Sequence, residues 1–112
     1  MTPEKLEKIV RQIVEAIHPY RIYLFGSQAR GTAREDSDID LLVIADMGGS
    51  HRKRSLRIRR LFPKRDFSID VFVFKPEEFE RQKMLTNSIS NLVSKEGKVL
   101  YKRSKRMDVE VV

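Results

Sequence analysis

The segment Ser37-Asp38-Ile39-Asp40-Leu41-Leu42-Val43-Ile44 sets the tightest limit on how this chain can fold. β-Branched and aliphatic residues dominate it and turn-forming residues precede it, so a strand is predicted over Asp38 to Ile44. Side chains alternate faces along a strand, which points Asp38 and Asp40 the same way, about 6.5–7 Å apart along the chain. Two carboxylates on one face repel each other unless a cation lies between them. An apolar strand therefore begins in a pair of charges shaped to hold a metal ion.

A second feature stands just upstream. Arg21 to Phe25 is apolar enough for a strand and breaks at Gly26-Ser27, with ten residues between Ser27 and Asp38. Glycine lets a ligand come close to the backbone, and Ser27 can cap a helix or donate its hydroxyl to a phosphate oxygen. Gln28-Ala29-Arg30 suits a short helical turn whose free N–H groups favour an anion. Taken singly, Gly-Ser reads as a turn and Asp-x-Asp as a solvated strand start or a pair of turn caps. Taken together they describe a phosphate grip beside paired carboxylates, the donor set of a nucleotide held with magnesium.

Gly26-Ser27, ten residues, then Asp38-x-Asp40 resembles the signature of the DNA polymerase beta-type nucleotidyltransferases. The fuller string GSQARGTAREDSDIDLLV is similar to the small stand-alone members, the minimal nucleotidyltransferases (MNT) of prokaryotes. The family pattern also has a third carboxylate on a later strand, and Asp70 within Phe67 to Phe74 matches it. The flanking Ile69, Val71, Phe72, Val73 and Phe74 suggest a buried strand, where an aspartate needs a partner or a metal. Alternation puts Ser68, Asp70 and Phe72 on one face of that strand.

The resemblance implies an α/β (α+β) fold, a small mixed sheet flanked by helices. It implies transfer of a nucleotidyl group from a nucleoside triphosphate, with ATP as substrate and two Mg2+ ions in the active complex. Asp38 and Asp40 would bind both ions, and Asp70 the ion nearer the attacking hydroxyl. Gly26 and Ser27 would hold the β- and γ-phosphates, with Arg30, or its rival Arg34, stabilising the triphosphate. Some family members carry a basic residue after the serine; here it is Gln28.

Larger relatives carry a further domain for the acceptor, and 112 residues leave room for one modest core. The expected organisation is a nucleotidyltransferase domain over 1–102 and a C-terminal tail over 103–112. Many short MNT proteins pair with a helical HEPN ribonuclease toxin and act as antitoxins by adding AMP to a toxin tyrosine. The resemblance therefore implies an adenylyltransferase antitoxin with a HEPN-type partner. Two alternatives stay open: a non-catalytic module that neutralises its partner by contact, and a small-molecule or RNA nucleotidyltransferase.

The rest of the chain supplies the frame. Thr2-Pro3-Glu4 suits a helix start, and Leu6, Ile9, Val10, Ile13, Val14 and Ile17 form one apolar stripe up to His18-Pro19. His51 to Phe62 follows a Ser50 N-cap and reads as a basic helix, with Leu56, Ile58, Leu61 and Phe62 as a narrow inner stripe. Its outer face reads as solvated, or as a patch for triphosphate or RNA. Pro76 opens a helix with Glu77 and Glu78 in its first turn and Phe79 as anchor. Ile89, Leu92 and Val93 make a last helix closed by Gly97, and Val99 to Tyr101 an edge strand or docked extension.

Lys and Arg number 23 against 16 Asp and Glu, a formal charge of +7, which fits an anionic ligand: nucleotide, nucleic acid or an acidic protein surface. No cysteine is present, which removes disulfides and cysteine–zinc sites. No apolar segment approaches a membrane span, and a cytoplasmic protein with no membrane partner is expected. The apolar tail residues Val109, Val111 and Val112 allow pairing with another chain, including a second copy.

Overall fold

A computed structural model describes residues 2–33 and 38–103. The first helix, α1 (Pro3–Ile17), starts as expected: the Thr2 hydroxyl accepts from the Lys5 N–H at 3.2 Å and Pro3 takes the first position. It stops at His18, whose left-handed backbone (φ 48°) lets its N–H reach the Val14 carbonyl before Pro19 turns the chain. Then follow β1 (Arg21–Phe25), α2 (Gly26–Arg30), β2 (Ile39–Ile44) and α3 (His51–Arg59). The chain ends its described part with β3 (Ile69–Phe74), α4 (Pro76–Gln82), α5 (Ile89–Glu96) and β4 (Lys98–Lys102).

The strands form one mixed sheet in the order β3-β2-β1-β4. β1 is antiparallel to both β2 and β4, whereas β2 and β3 run parallel, joined through α3. β4 is the expected edge strand, with a register shift opposite Ile22 and Tyr23. One sheet face carries Ile22, Leu24, Ile39, Leu41, Val43, Val71 and Val73 and packs under α1 and α3 through Ile9, Ile13 and Ile58. The other carries Tyr23, Phe25, Leu42, Ile44 and Phe74 and packs under Phe79 of α4 and Val93 of α5. Both faces of the middle strands are thus apolar, which is why their sequences read as continuous hydrophobic runs. On β2 the alternation breaks only at Asp40, and on β3 only at Asp70 and Phe72.

The basic helix differs from the sequence reading at one residue. Ser50 caps it as expected, accepting from the Lys53 N–H, and Ile58 is buried, but so is Arg54. Arg54 turns inward and donates from Nη1 to the Glu78 carboxylate at 2.8 Å and to the Val73 carbonyl at 3.2 Å. Glu78 also accepts from the Lys75 N–H at 2.7 Å, capping α4. The Arg54 guanidinium therefore ties α3 to both β3 and α4. Arg103, assigned to the tail from sequence, is held to the body: its N–H donates to the Tyr20 carbonyl and its guanidinium lies 4.1 Å from the Tyr20 ring centre. The remaining tail, 104–112, lies outside the described residues.

Hydrogen bonding to Arg54 is the main cause that holds the Glu78 carboxyl below the usual glutamate range, with the Lys75 N–H adding to it. A lowered folded-state pKa adds stability above the ordinary glutamate range, and that stability is lost as pH falls through the lowered value. Glu78→Gln should therefore destabilise the protein by about 1–3 kcal/mol at pH 7, because it leaves Arg54 buried and unpaired. Urea titrations at pH 7 and pH 3 check this; the gap between wild type and variant should narrow at the lower pH.

Candidate active site

The three predicted carboxylates come together at one end of the sheet. β1 ends there at Phe25, while β2 and β3 begin there. Asp40 stands opposite Phe25 on one side and Asp70 on the other, so neighbouring strands bring Asp40 and Asp70 within about 4.8 Å of backbone spacing on the same face. Asp38 lies just before β2 and is exposed. Asp40 is half-buried, and its carboxyl is pushed above the usual aspartate range. Burial is the largest cause, followed by the charges of Asp70 and then Asp38; the Arg30 guanidinium opposes them.

Asp70 corrects one expectation. It is exposed rather than buried, because β3 is an outer strand and the buried cluster under α4 and α5 takes in Phe74 of β3 but neither Asp70 nor Phe72. Its two neighbours do point into the core, Ile69 at 3% and Val71 at 5% exposure. The apolar flanks were real, but Ile69, Val71 and Val73 belong to the opposite face.

Gly26 closes the site from the β1 side. Its φ of +72° is one that only glycine adopts without strain. A Cβ on Gly26 would sit 2.2 Å from the Asp40 Oδ2. The glycine is thus required twice, by the turn out of β1 and by the carboxylate against it. Ser27 is half-buried on the following short helix, α2, whose last residue, Arg30, is exposed and near enough to act on Asp40. Gly31, with φ of +75°, ends that turn by donating to the Ser27 carbonyl. Arg34, the rival to Arg30, lies outside the described residues.

The donor set suits a hard divalent cation, since it offers carboxylate oxygens and no nitrogen or sulfur. None of Asp38, Asp40 and Asp70 forms an ion pair among the described residues. Nor do the described His, Asp and Glu side chains form a ready-made group of three around one point. Asp40 and Asp70 lie side by side on neighbouring strands, with Asp38 just before β2, and the charges of Asp70 and Asp38 repel that of Asp40. A separate cleft of about 360 Å³, bounded by Tyr20, Ile44, Phe79 and Lys102, opens at the other end of the sheet and contains none of them.

Residues 3–110 match the family model described as nucleotidyltransferase domain, nearly the whole chain. The chain belongs to the nucleotidyltransferase family. This nucleotidyltransferase is 35% identical over 101 residues to a Methanocaldococcus jannaschii protein named Putative protein adenylyltransferase MJ0604, a match covering 85% of this chain and 97% of that one. Two solved structures share its fold. The crystal structure of a nucleotidyltransferase from Sulfolobus solfataricus has a TM-score of 0.63 at 22% identity, over 89% of this chain and 79% of that one. A toxin–antitoxin crystal structure with AMP-PNP has a TM-score of 0.61 at 22% identity, over 92% of this chain and 78% of that one. The expected fold, a small mixed sheet flanked by helices, is the one observed. No described helix is long and apolar enough to cross a membrane.

Sequence reading singled out Gly26, Ser27, Arg30, Asp38, Asp40 and Asp70 and passed over the aromatic residues beside them. Phe25 and Phe72 flank the carboxylates, with ring centres 6.0 Å apart. The alternation that placed Phe72 on the face of Asp70 was the available signal.

The raised Asp40 pKa has a consequence for stability. The folded protein keeps a proton that the unfolded chain gives up, so stability falls as pH rises from the ordinary aspartate range through the raised value. Asp40→Asn removes that penalty at neutral pH. In EDTA at pH 7.5 the variant should melt above wild type. The difference should vanish at pH 3.

Proposed function

We propose that this nucleotidyltransferase is a magnesium-dependent protein adenylyltransferase, moving AMP from ATP to a hydroxyl of a partner protein. The observation that carries the reading is the packing of Gly26 against Asp40, with Asp70 in register beside it. A turn able to receive phosphates opens directly onto a cluster of carboxylates that repel.

On this reading, Asp38, Asp40 and Asp70 are the catalytic and metal-binding residues, and Gly26, Ser27 and Arg30 bind the nucleotide. Gly26 keeps the backbone bare so that the triphosphate can approach Asp40 closely. The Ser27 hydroxyl and the N–H groups of α2 hold the β- and γ-phosphates. Arg30, at the end of α2, offsets charge on the triphosphate. Magnesium bound by the carboxylates would supply charge neutralisation of the phosphates and of the transition state. The acceptor oxygen attacks the α-phosphorus and forms a new O–P bond. The bond from that phosphorus to the α,β-bridging oxygen breaks, and pyrophosphate leaves with the electron pair. The acceptor proton passes to Asp70, which solvent exposure leaves free to release it to water.

The acceptor is proposed to be a tyrosine of a HEPN-type ribonuclease toxin, which makes the chain an antitoxin. Support comes from the archaeal relative named as a protein adenylyltransferase, from the toxin–antitoxin structure with AMP-PNP that shares the fold, and from the resemblance to minimal nucleotidyltransferases. A cytoplasmic location follows from such a pairing.

The test is transfer of label from α-labelled ATP, with magnesium, to the product of the adjacent reading frame. Label should move to the partner and survive denaturation, since the phosphodiester is covalent. Asp38→Ala should reduce transfer by at least about 100-fold, the scale of losing one charge-stabilising group at a transferring phosphoryl centre. Full neutralisation of the toxin by Asp38→Ala at a low antitoxin-to-toxin ratio, with no label moved by either protein, would contradict an enzymatic role.

A further inference from the structure

The carboxylate end of the sheet holds an aromatic pair to which the reaction above gives no role. Phe72 lies two residues beyond Asp70 on β3, on the same face, and is 36% exposed, while Val71 and Val73 beside it are 5% and 0% exposed. Its ring centre is 6.0 Å from that of Phe25, with the planes tilted by 51°. Phe25 is the residue in register with Asp40, and Phe72 is in register with Leu42, the next residue along β2 on that face. The two rings therefore reach across β2 and form an apolar shelf bordering Asp40 and Asp70. Phe25 lies in the buried cluster under α4 and α5, whereas Phe72 lies outside it; Phe79 stacks on Tyr23, one step farther from the carboxylates on β1, at 5.9 Å.

The position of the shelf decides what it can hold. The sheet order puts Gly26-Ser27 at the end of β1 and Asp70 with Phe72 on the outer strand β3, with β2 between them. With the leaving pyrophosphate at Gly26-Ser27, an in-line displacement brings the attacking oxygen in from the opposite side, which is the side of β3. Phe72 is the exposed apolar side chain on that side. A serine or threonine acceptor is too short to touch a ring two residues along the strand and still present its hydroxyl at Asp70. A phenolic acceptor spans that gap, laying its ring against Phe72 and its oxygen at the carboxylates.

We infer that Phe72, backed by Phe25, is a positioning residue for the acceptor, selecting a hydroxyl borne on an aromatic ring. This rests on the reading of Gly26-Ser27 as the phosphate grip. Aromatic pairs favour offset and edge-to-face contacts over a limited range of separations, so the shelf also fixes the angle at which the acceptor oxygen arrives.

The probe is N-acetyl-tyrosinamide, titrated by NMR into the protein saturated with magnesium and α,β-methylene-ATP, which cannot transfer. Wild type should bind the amide weakly. Phe72→Ala and Phe72→Leu should each weaken that binding by about threefold to tenfold, the size of one aromatic contact. Phe72→Tyr should restore it, and all three should keep nucleotide affinity within about twofold of wild type. N-acetyl-serinamide should not compete. The inference is overturned if the amide fails to bind wild type, if the Ala and Leu variants bind it as wild type does, or if serinamide competes equally. Weaker nucleotide binding with unchanged amide binding overturns it too, by giving the ring to the nucleobase. Absence of nucleotide binding in wild type removes the phosphate grip itself, a failure distinct from loss of the acceptor contact alone.

Discussion

The contact between Gly26 and the Asp40 carboxylate is the constraint on which the rest of the site depends. A half-buried carboxylate with two like charges nearby is unfavourable in the isolated fold, and the raised pKa of Asp40 expresses that cost. The fold does not relieve it with a side chain on the β1 side, because a Cβ on Gly26 would collide with Oδ2. What occupies that side must be thin enough to meet bare backbone and positive enough to sit among carboxylates, or must arrive with a cation. A metal–triphosphate meets both conditions. Strain of this kind is common where a site is organised for a ligand rather than for the stability of the empty protein.

Everything else holds those few atoms in place. The register of β2 between β1 and β3 sets Phe25, Asp40 and Asp70 in one row. Apolar layers on both faces of β2, with Ile39, Leu41, Leu42 and Val43 each fully buried, keep that register from slipping. The bond from Arg54 to Glu78 ties α3 to the start of α4 at the far end of β3. That arrangement puts the least adaptable packing under the carboxylates and leaves α2, with Ser27 and Arg30, as a short turn that a ligand can meet directly.

Much of this was legible in the sequence because it is local. Thr2-Pro3, Ser50 and Gly26-Ser27 each mark an element boundary through their own backbone chemistry, and alternation along Asp38 to Ile44 and Phe67 to Phe74 assigned Asp40 and Asp70 to their faces. What escaped was non-local. The exposure of Asp70 depends on β3 being an outer strand and on where α4 stops, neither of which its neighbours reveal. Arg54 sat in a run of basic residues and looked solvated; only the chain fold brings Glu78, 24 residues on, within reach. Phe72 looked like one more core residue because its strand is apolar, and its exposure follows from the same open edge. Spacing set the carboxylates near Gly26-Ser27, whereas the surfaces around them are not described by spacing.

If Asp38, Asp40 and Asp70 hold a cation together with a nucleotide, ATP binding depends on that cation. Calorimetric titration of ATP into the wild-type protein, once with magnesium and once in EDTA, tests it most directly. Binding should be clear with magnesium and at least about tenfold weaker in EDTA, because without the cation the triphosphate meets unneutralised carboxylates. Equal affinity in the two titrations would contradict the account.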